Sequence, residues 1–261
     1  VAGMLFAAAH VGAFGLGAAA LRRWSGGSVP QAVTAFLVVA PVSSALAAAG
    51  GVVALATAGV IAPAEARAIL LPWFVGDFVG VVALGPALAA LLERLAATFR
   101  LRSTPLFGAV SRLRPARPEW RRFAFLFALC LLPLGGSLLL LGGFGLRELA
   151  SAFLVFFAVV PLMWIVHTEG SARAFGAVAA LSVAIAGAGA LAGRGEHTTA
   201  YQFAMIVLAG SAYFGLAVPS LYLDNEQLRR LATTDPLTGA ANRLAFDEAA
   251  IRETARARRF G

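Results

Sequence analysis

Of the 261 residues, 60% are hydrophobic and only 13% are charged, and the single cysteine, Cys130, excludes an intrachain disulfide and a cysteine-based zinc cluster. Globular chains carry about 45–50% apolar and about 25% charged residues, so this composition excludes a soluble enzyme or a nucleic-acid-binding protein for most of the chain. The net charge of +8 comes from 21 arginines without any lysine, and it raises the question of which side of a bilayer the arginines occupy.

Seven stretches of the chain are apolar and long enough to cross a bilayer. A hydrocarbon core of about 30 Å requires roughly 20 apolar residues in a helix. The sequence therefore predicts an all-α polytopic membrane helix bundle over residues 1–221, with the lipid bilayer as its surroundings. The seven predicted spans are 1–21, 32–61, 69–92, 123–143, 149–166, 174–193 and 201–221.

The arginines are distributed unequally between the two sets of loops. If the seven spans alternate in direction, 18 arginines fall on one side and three on the other. Because cytoplasmic loops are enriched in Lys and Arg, we expect the side with 18 arginines, and with it the C-terminus, to be cytoplasmic. The loop 94–122 carries eight of them and is either a topology signal or a surface that contacts anionic lipid headgroups. The loops on the other side are short, so we expect any stimulus to be met between helices or at the outer rim.

The third span contains an acidic residue, Asp77. A carboxylate at this depth is costly unless it is paired or protonated. Two interpretations stay open: Asp77 lines a polar cavity that binds or couples a signal, or it makes an interhelical hydrogen bond close to the outer interface. The membrane histidines His10 and His167 are expected to bond between helices, because no spacing of His and Cys in the chain supports a metal or haem pair.

The region around Asp77 resembles a known family of sensor domains. It reads Trp73-Phe74-Val75-Gly76-Asp77-Phe78-Val79-Gly80-Val81 and continues to Gly85-Pro86. This run is similar to the membrane-associated sensor domain of the MASE type, whose hallmark is a Trp-rich Gly-Asp-x-x-Gly-Val stretch running into a proline. The resemblance implies an input module of a bacterial signalling protein. It makes Trp73, Gly76, Asp77 and Gly80 the candidate sensing residues.

After the last span, the composition changes to that of a solvated helix. Leu221, Leu228 and Leu231 recur with acidic and amide residues between them, which predicts a helical linker over 222–234 that ends before Pro236. This helix is either a plain exit from the membrane or one partner of a parallel signalling pair in a homodimer. The leucines span too few heptads to distinguish these alternatives.

The segment that follows carries the most specific pattern in the chain. It reads Asp235-Pro236-Leu237-Thr238-Gly239-Ala240-Ala241-Asn242-Arg243-Leu244-Ala245-Phe246, which resembles the Asp-x-Leu-Thr-Gly-x-x-Asn-Arg-x-x-Phe opening of the GGDEF family of diguanylate cyclases. Ala240 and Ala241 replace a more common Leu-Pro pair. The resemblance identifies a coupling motif between the incoming helix and the catalytic domain. Its positions are Asp235, Leu237, Thr238, Gly239, Asn242, Arg243 and Phe246.

The resemblance also implies what an intact member of the family does. Such a cyclase joins two GTP molecules into cyclic di-GMP with Mg²⁺, across a homodimer in the bacterial inner membrane. The family's Gly-Gly-Asp/Glu-Glu-Phe loop does not occur in these 261 residues, so we expect residues 235–261 to be the N-terminal fragment of an α/β GGDEF domain. No catalytic, cofactor-binding or metal-binding residue is therefore assigned to this chain.

Two other functions remain open on the sequence. The output domain could be a degenerate GGDEF domain that acts as a cyclic di-GMP receptor, or it could be linked to a phosphodiesterase. Alternatively, the protein is a transporter or channel, which would call for more intramembrane charge than Asp77 alone supplies. The GGDEF-like motif argues against the second alternative.

Overall fold

The structure is a computed structural model that describes residues 1–25, 27–100, 119–143, 153–191, 198–235, 238 and 240–260. It divides into two compact units, Val1–Ala217 and Val218–Gly261. The predicted loop 94–122 falls largely in 101–118, outside the described residues. The predicted coupling residues Leu237 and Gly239 also lie outside them.

The first unit is a bundle of apolar helices. Six helices of the described residues are long and apolar enough to cross a membrane, as expected for a multi-pass membrane protein. The helices of the chain are α1 (Ala2–Trp24), α2 (Val29–Thr57), α3 (Pro63–Thr98), α4 (Trp120–Gly143), α5 (Val159–Glu169, preceded by a 3₁₀ turn, Phe156–Ala158), α6 (Ser171–Leu191), α7 (Thr198–Thr233) and α8 (Arg243–Phe260).

Six of the seven predicted spans correspond to membrane-length helices among the described residues. The fifth predicted span, 149–166, corresponds to a shorter apolar helix over Phe153–Glu169 in the part of the chain that the structure describes. At a rise of about 1.5 Å per residue this helix is roughly 25 Å long, which is less than the hydrocarbon thickness. It ends at Gly170, whose φ of +81° is one that side-chain-bearing residues rarely adopt, and α6 begins at the next residue.

Polar and proline residues set the starts of α2 and α3. The Ser28 side chain accepts the backbone N–H of Gln31 at 3.4 Å at the start of α2, which satisfies one of the unpaired donors of a helix N-terminus. Pro63 is the first residue of α3, and Glu65 accepts the Ala62 N–H at 3.0 Å. These caps produce the breaks between apolar segments that the sequence pattern indicates.

Close helix packing depends on small residues. A Cβ at Gly17 of α1 would collide with Ser43 of α2, and one at Gly215 of α7 would lie 2.9 Å from the Met163 sulfur of α5. The Tyr213 hydroxyl donates a hydrogen bond to the Val82 carbonyl of α3. The most deeply buried large side chains of the described residues come from α5, α6 and α7 and include Leu162, Ile165, Leu181, Ile185 and Leu208.

Several helix ends meet at one end of the bundle. Arg122, near the start of α4, contacts Glu169 at the end of α5, and Gly136, further along α4, faces Leu154. These contacts show that α4 and the α5 segment are antiparallel. Arg94, near the end of α3, lines the same cavity as Ser171 at the start of α6. The helix ends that carry these arginines therefore lie together, as the alternation of spans requires.

The second unit contains the last part of α7 and the whole of α8. α7 continues without interruption through the predicted boundary at residue 221 and ends at Thr233, just before the position where Pro236 restricts the chain. In this unit the β pairing among described residues is an isolated antiparallel bridge between Thr234 and Ala241. The α/β part expected of a GGDEF domain is not shown.

Candidate functional site

Asp77 of α3 faces a histidine on another helix of the first unit, α1. The His10 Nε2 atom of α1 lies 3.5 Å from the Asp77 Oδ2 atom of α3, and the two side chains are 19% and 25% exposed. The same carboxylate oxygen is buried and makes no hydrogen bond within the described residues. The pair, named here the His10–Asp77 pair, is therefore close enough for electrostatic attraction but loosely engaged.

The second nitrogen of His10 determines how protons are arranged in the pair. His10 Nδ1 lies 3.1 Å from the Phe6 carbonyl oxygen. A carbonyl only accepts hydrogen bonds, so Nδ1 carries a proton and donates it to Phe6. A favourable Nε2–Oδ2 contact then requires one further proton between the two atoms, placed on either the imidazole or the carboxyl group. In both arrangements the pair is neutral overall, which suits a site in the membrane.

Aromatic rings and a glycine surround the His10–Asp77 pair. The Phe6 ring lies 4.1 Å from the His10 ring and meets Trp73 edge to face at 5.5 Å. On the α2 side, a Cβ added to Gly51 would lie 2.8 Å from His10 Cε1 and 2.9 Å from the Phe6 ring. The absence of a side chain at Gly51 is therefore what allows α1 to bring His10 towards Asp77.

The four predicted sensing residues have different surroundings in the structure. Trp73 and Asp77 belong to one site with Phe6 and His10. Gly76 and Gly80 have no neighbouring atom within 4 Å of an added Cβ, so packing within this unit does not explain why they are glycines. The pairing of His10 with an acid agrees with the interhelical role expected for a membrane histidine. His167 is exposed, and no group of three metal-ligating residues occurs among the described residues.

A second polar cluster, which the sequence interpretation missed, joins α4, α5 and α6. Glu169 is 2% exposed, and Arg122 Nε donates to its Oε1 at 2.6 Å. Arg173 donates to Oε2, which also accepts the Glu119 N–H at 3.3 Å. These three side chains, Glu169, Arg122 and Arg173, are named here the Glu169 cluster. A signal for it is present in the sequence: an acidic residue followed by glycine between two apolar segments, with an arginine four residues later.

The protein environment controls the charge of Glu169, which follows the predicted span 149–166. Burial on its own would raise the pKa of this carboxyl, but the hydrogen bonds from Arg122 and Arg173 outweigh it and hold the pKa below its usual range. Arg173 also lies over the Trp120 and Phe123 rings, at 5.9 and 5.6 Å from their centroids. Glu169 is thus an ionised, fully hydrogen-bonded anchor for three helices.

In the second unit, the predicted coupling motif forms a closed turn. The Asp235 Oδ1 atom accepts both the backbone N–H of Thr238, at 2.9 Å, and its hydroxyl, at 3.0 Å. The Asp235 N–H donates to the Ala240 carbonyl at 2.8 Å. An aspartate that accepts from residues a few positions later is a typical turn-forming device, so Asp235 and Thr238 have a local structural role.

Asn242 connects the two helices that flank this turn. Its Nδ2 donates to the Ala232 carbonyl at the end of α7, at 2.7 Å, and its Oδ1 accepts the Ala245 N–H in the first turn of α8, at 3.1 Å. One side chain therefore satisfies an unpaired acceptor of one helix and an unpaired donor of the next. An aspartate in this position could accept from Ala245 but could not donate to Ala232.

The other motif residues are on the surface of the second unit. Arg243 begins α8, and its Nε lies 3.9 Å from an Asp247 carboxylate oxygen in an exposed pair. The Phe246 side chain is 69% exposed although it is apolar. Its ring has no packing role among the described residues of this unit.

We compared the chain with protein-family models, with curated proteins and with solved structures, and none of them matches.

Proposed function

We propose that this chain is the membrane sensor of a bacterial diguanylate cyclase together with the first part of its GGDEF domain. In this proposal the protein lies in the bacterial inner membrane with its C-terminus in the cytoplasm, where GTP is available. It acts as a homodimer through α7. A signal received between the membrane helices changes the arrangement of two cyclase domains, and these convert two GTP molecules into cyclic di-GMP.

The hydrogen bonds of Asn242 carry this proposal. A motif that only resembled the GGDEF opening by chance would not be expected to use its asparagine on both sides of the turn. Here the Asn242 amide holds the end of α7 and the start of α8 at the same time. Such a residue is suited to transmitting a movement of α7 to the element that follows. In the proposed complete domain, the exposed Phe246 ring packs against the rest of the domain.

The described residues do not provide a Mg²⁺ site, because they contain no group of three suitable ligands. Mg²⁺ would belong to the catalytic part of an intact cyclase, where it neutralises phosphate charge. The role proposed for the present residues is therefore input and coupling. No step of the reaction is assigned to them.

The proposed input site is the His10–Asp77 pair with Phe6 and Trp73. Its polar atoms are only partly satisfied, and its neutral state depends on a single shared proton, so a change in protonation or a polar ligand alters how strongly α1 is attracted to α3. Such a site responds to a stimulus more readily than a fully hydrogen-bonded cluster does.

The decisive experiment is an assay of the full-length protein. The purified full-length dimer, incubated with GTP and Mg²⁺, should form cyclic di-GMP, which is detected by chromatography. A folded dimer that forms no product contradicts the enzymatic proposal. If it instead binds cyclic di-GMP, a receptor role replaces synthesis.

A second experiment tests the coupling role of Asn242. Asn242→Ala removes both hydrogen bonds and should cost about 1 kcal/mol at the start of α8, which is seen as faster amide exchange at Ala245. It should also weaken the response of the cyclase to its stimulus. Asn225→Ala is the matched control, because Asn225 is exposed in the middle of a helix. Equal behaviour of the two variants contradicts the coupling role.

A transporter is the second candidate, and the His10–Asp77 pair is the observation that favours it. Paired ionisable groups between membrane helices also occur in proton relays of transporters. Proton flux in proteoliposomes that is lost in Asp77→Asn would support a transporter over a sensor. The absence of flux, together with altered cyclic di-GMP levels in cells, would support the sensor.

A further inference from the structure

One side chain of α7 donates a hydrogen bond to the backbone of α3. The Tyr213 hydroxyl donates to the carbonyl of Val82, which lies inside α3, where carbonyls normally bond within the helix. The usual donor to this carbonyl is the N–H of residue 86, four positions later. Residue 86 is a proline, which has no N–H. Pro86 therefore leaves the Val82 carbonyl without its helical donor, and Tyr213 supplies one from another helix.

Burial makes this replacement donor important. Val82 is 2% exposed, and Pro86 is less than 2% exposed. A buried carbonyl without a donor is costly, and prolines are tolerated in membrane helices where a neighbouring group satisfies the backbone atom that they free. Pro86 and Tyr213 thus form a functional unit, although the two bonded residues are 131 positions apart in the chain.

Two aromatic rings hold the Tyr213 side chain in place. Tyr213 is 2% exposed. Its ring meets the Phe36 ring of α2 edge to face, with the centroids 5.4 Å apart, and the Phe175 ring of α6 at 6.0 Å. Because these contacts fix the ring, the hydroxyl cannot follow a different acceptor without repacking. A displacement of the Val82 carbonyl therefore acts on α7.

The Val82 carbonyl lies close to the proposed input site along α3. Asp77 precedes Val82 by five residues, or about 7.5 Å along the helix axis. Pro86 removes one hydrogen bond from the ladder just beyond this segment, and helices bend most sharply at such positions. A change in the attraction between His10 and Asp77 is therefore expected to move the part of α3 that carries Val82.

We propose that Tyr213 is a positioning residue that transmits a change at the His10–Asp77 pair from α3 to α7. When α1 attracts α3 more or less strongly, the Val82 carbonyl moves relative to the fixed tyrosine ring, and the hydrogen bond draws α7 with it or breaks. α7 continues to Thr233, where the coupling turn begins. The link to cyclic di-GMP rests on the proposed function, whereas the hydrogen bond and its response to Asp77 do not.

A double-mutant cycle in the purified full-length protein tests the replacement of the missing donor. Tyr213→Phe keeps the ring, leaves the Val82 carbonyl unpaired and should lower the melting temperature by about 2–4 °C. Pro86→Ala restores an N–H to the helix, so the same tyrosine substitution should have a much smaller effect in that background. Failure of Tyr213→Phe to fold, with recovery in Pro86→Ala, has the same meaning. Equal effects in both backgrounds contradict the replacement.

Transmission is tested by NMR of the full-length protein with carbon-13 at the tyrosine ring carbon that bears the hydroxyl. Asp77→Asn should shift the Tyr213 signal, which is assigned by its absence in Tyr213→Phe. The Tyr201 signal is the internal control, because its hydroxyl lies in α7 but bonds with Ser137 of α4 at 3.0 Å. A purely structural Tyr213 predicts no shift. An unchanged Tyr213 signal, or equal shifts of both signals, contradicts the proposal.

The output is tested in cells with the same pair of tyrosines. Tyr213→Phe should abolish the change in cyclic di-GMP level that Asp77→Asn causes at normal protein abundance. Tyr201→Phe, which also removes a buried hydroxyl of α7, should preserve that change. Loss of the change in both variants, or in neither, contradicts a specific role of Tyr213.

The NMR measurement separates this proposal from the proposed function because it needs no cyclase activity. A protein that shows the Tyr213 shift but makes no cyclic di-GMP contradicts the cyclase proposal and supports the link between α3 and α7. An active cyclase whose Tyr213 signal is insensitive to Asp77→Asn contradicts the link alone.

Discussion

The two carboxylates within the helix bundle differ in how completely the surrounding residues hydrogen-bond and bury them. Glu169 accepts hydrogen bonds from two arginines and a backbone N–H and is completely covered. Asp77 has one histidine at 3.5 Å, retains a buried oxygen without a hydrogen bond, and is one quarter exposed. A saturated cluster has a single favourable arrangement, whereas a partly satisfied pair has several of similar free energy. The difference indicates that Glu169 maintains the fold and Asp77 is free to respond.

The largest effect is expected at Glu169. Glu169→Gln leaves Arg122 and Arg173 without their counter-ion, and breaking a buried pair from one side costs about 3–5 kcal/mol. Because both arginine side chains are about 30% exposed, we expect a loss near the lower limit, about 3 kcal/mol, in the free energy of unfolding in detergent. Glu253→Gln is the control, since its ion pair is largely exposed and such pairs contribute less than about 1 kcal/mol. Equal free energies of unfolding of the two variants would show that Glu169 stabilises the fold no more than an exposed acidic residue does.

The same cluster should make stability depend on acid pH. The folded-state pKa of Glu169 lies below its ordinary value of 4.5, so its contribution is complete above the unfolded-state pKa and is lost as the pH falls through the lower folded-state pKa. We therefore expect the melting temperature of the wild type to fall more steeply below about pH 4.5 than that of Glu169→Gln. Parallel pH profiles would show that the pKa of Glu169 is the same in the folded and unfolded states, which would contradict the lowered pKa.

The next effect concerns the close approach that allows His10 to reach Asp77. Gly51→Ala places a methyl group within 3 Å of the His10 and Phe6 rings, and overpacking of this kind costs about 1–3 kcal/mol. Gly12→Ala, on the same helix as His10, meets no atom within 4 Å and should be neutral or stabilising by up to about 1 kcal/mol. The unfolding free energies of both variants, with histidine NMR as a report on His10, test whether Gly51 positions the pair.

The sequence predicted the fold class and the location of Asp77 better than the interactions of either carboxylate. Long apolar segments determine a multi-pass bundle without reference to packing, so the spans are visible in composition alone. The partners His10 and Asp77 are 67 positions apart and meet only because of the α1–α2–α3 arrangement, which periodicity does not encode. Glu169 was missed because arginines near span ends were interpreted as topology signals or lipid contacts and not as partners of a buried acid. Gly76 and Gly80, selected by resemblance, have no packing explanation in the structure.

The smallest effect on stability, and the most informative one, is expected at Asp77. Asp77→Asn removes a carboxylate whose buried oxygen makes no hydrogen bond, and interhelical hydrogen bonds in membranes are worth only about 0.6 kcal/mol on average. We therefore expect a change in the free energy of unfolding of less than about 1 kcal/mol. In the full-length protein, however, the same variant should shift the cyclic di-GMP level in cells at normal protein abundance. The amide cannot share a proton with His10 Nε2 as a carboxyl group does, so the attraction between α1 and α3 loses its dependence on protonation. If Asp77→Asn lowers the free energy of unfolding strongly, Asp77 is a structural anchor like Glu169. If the variant leaves the cyclic di-GMP level unchanged at normal protein abundance, Asp77 has no role in signalling.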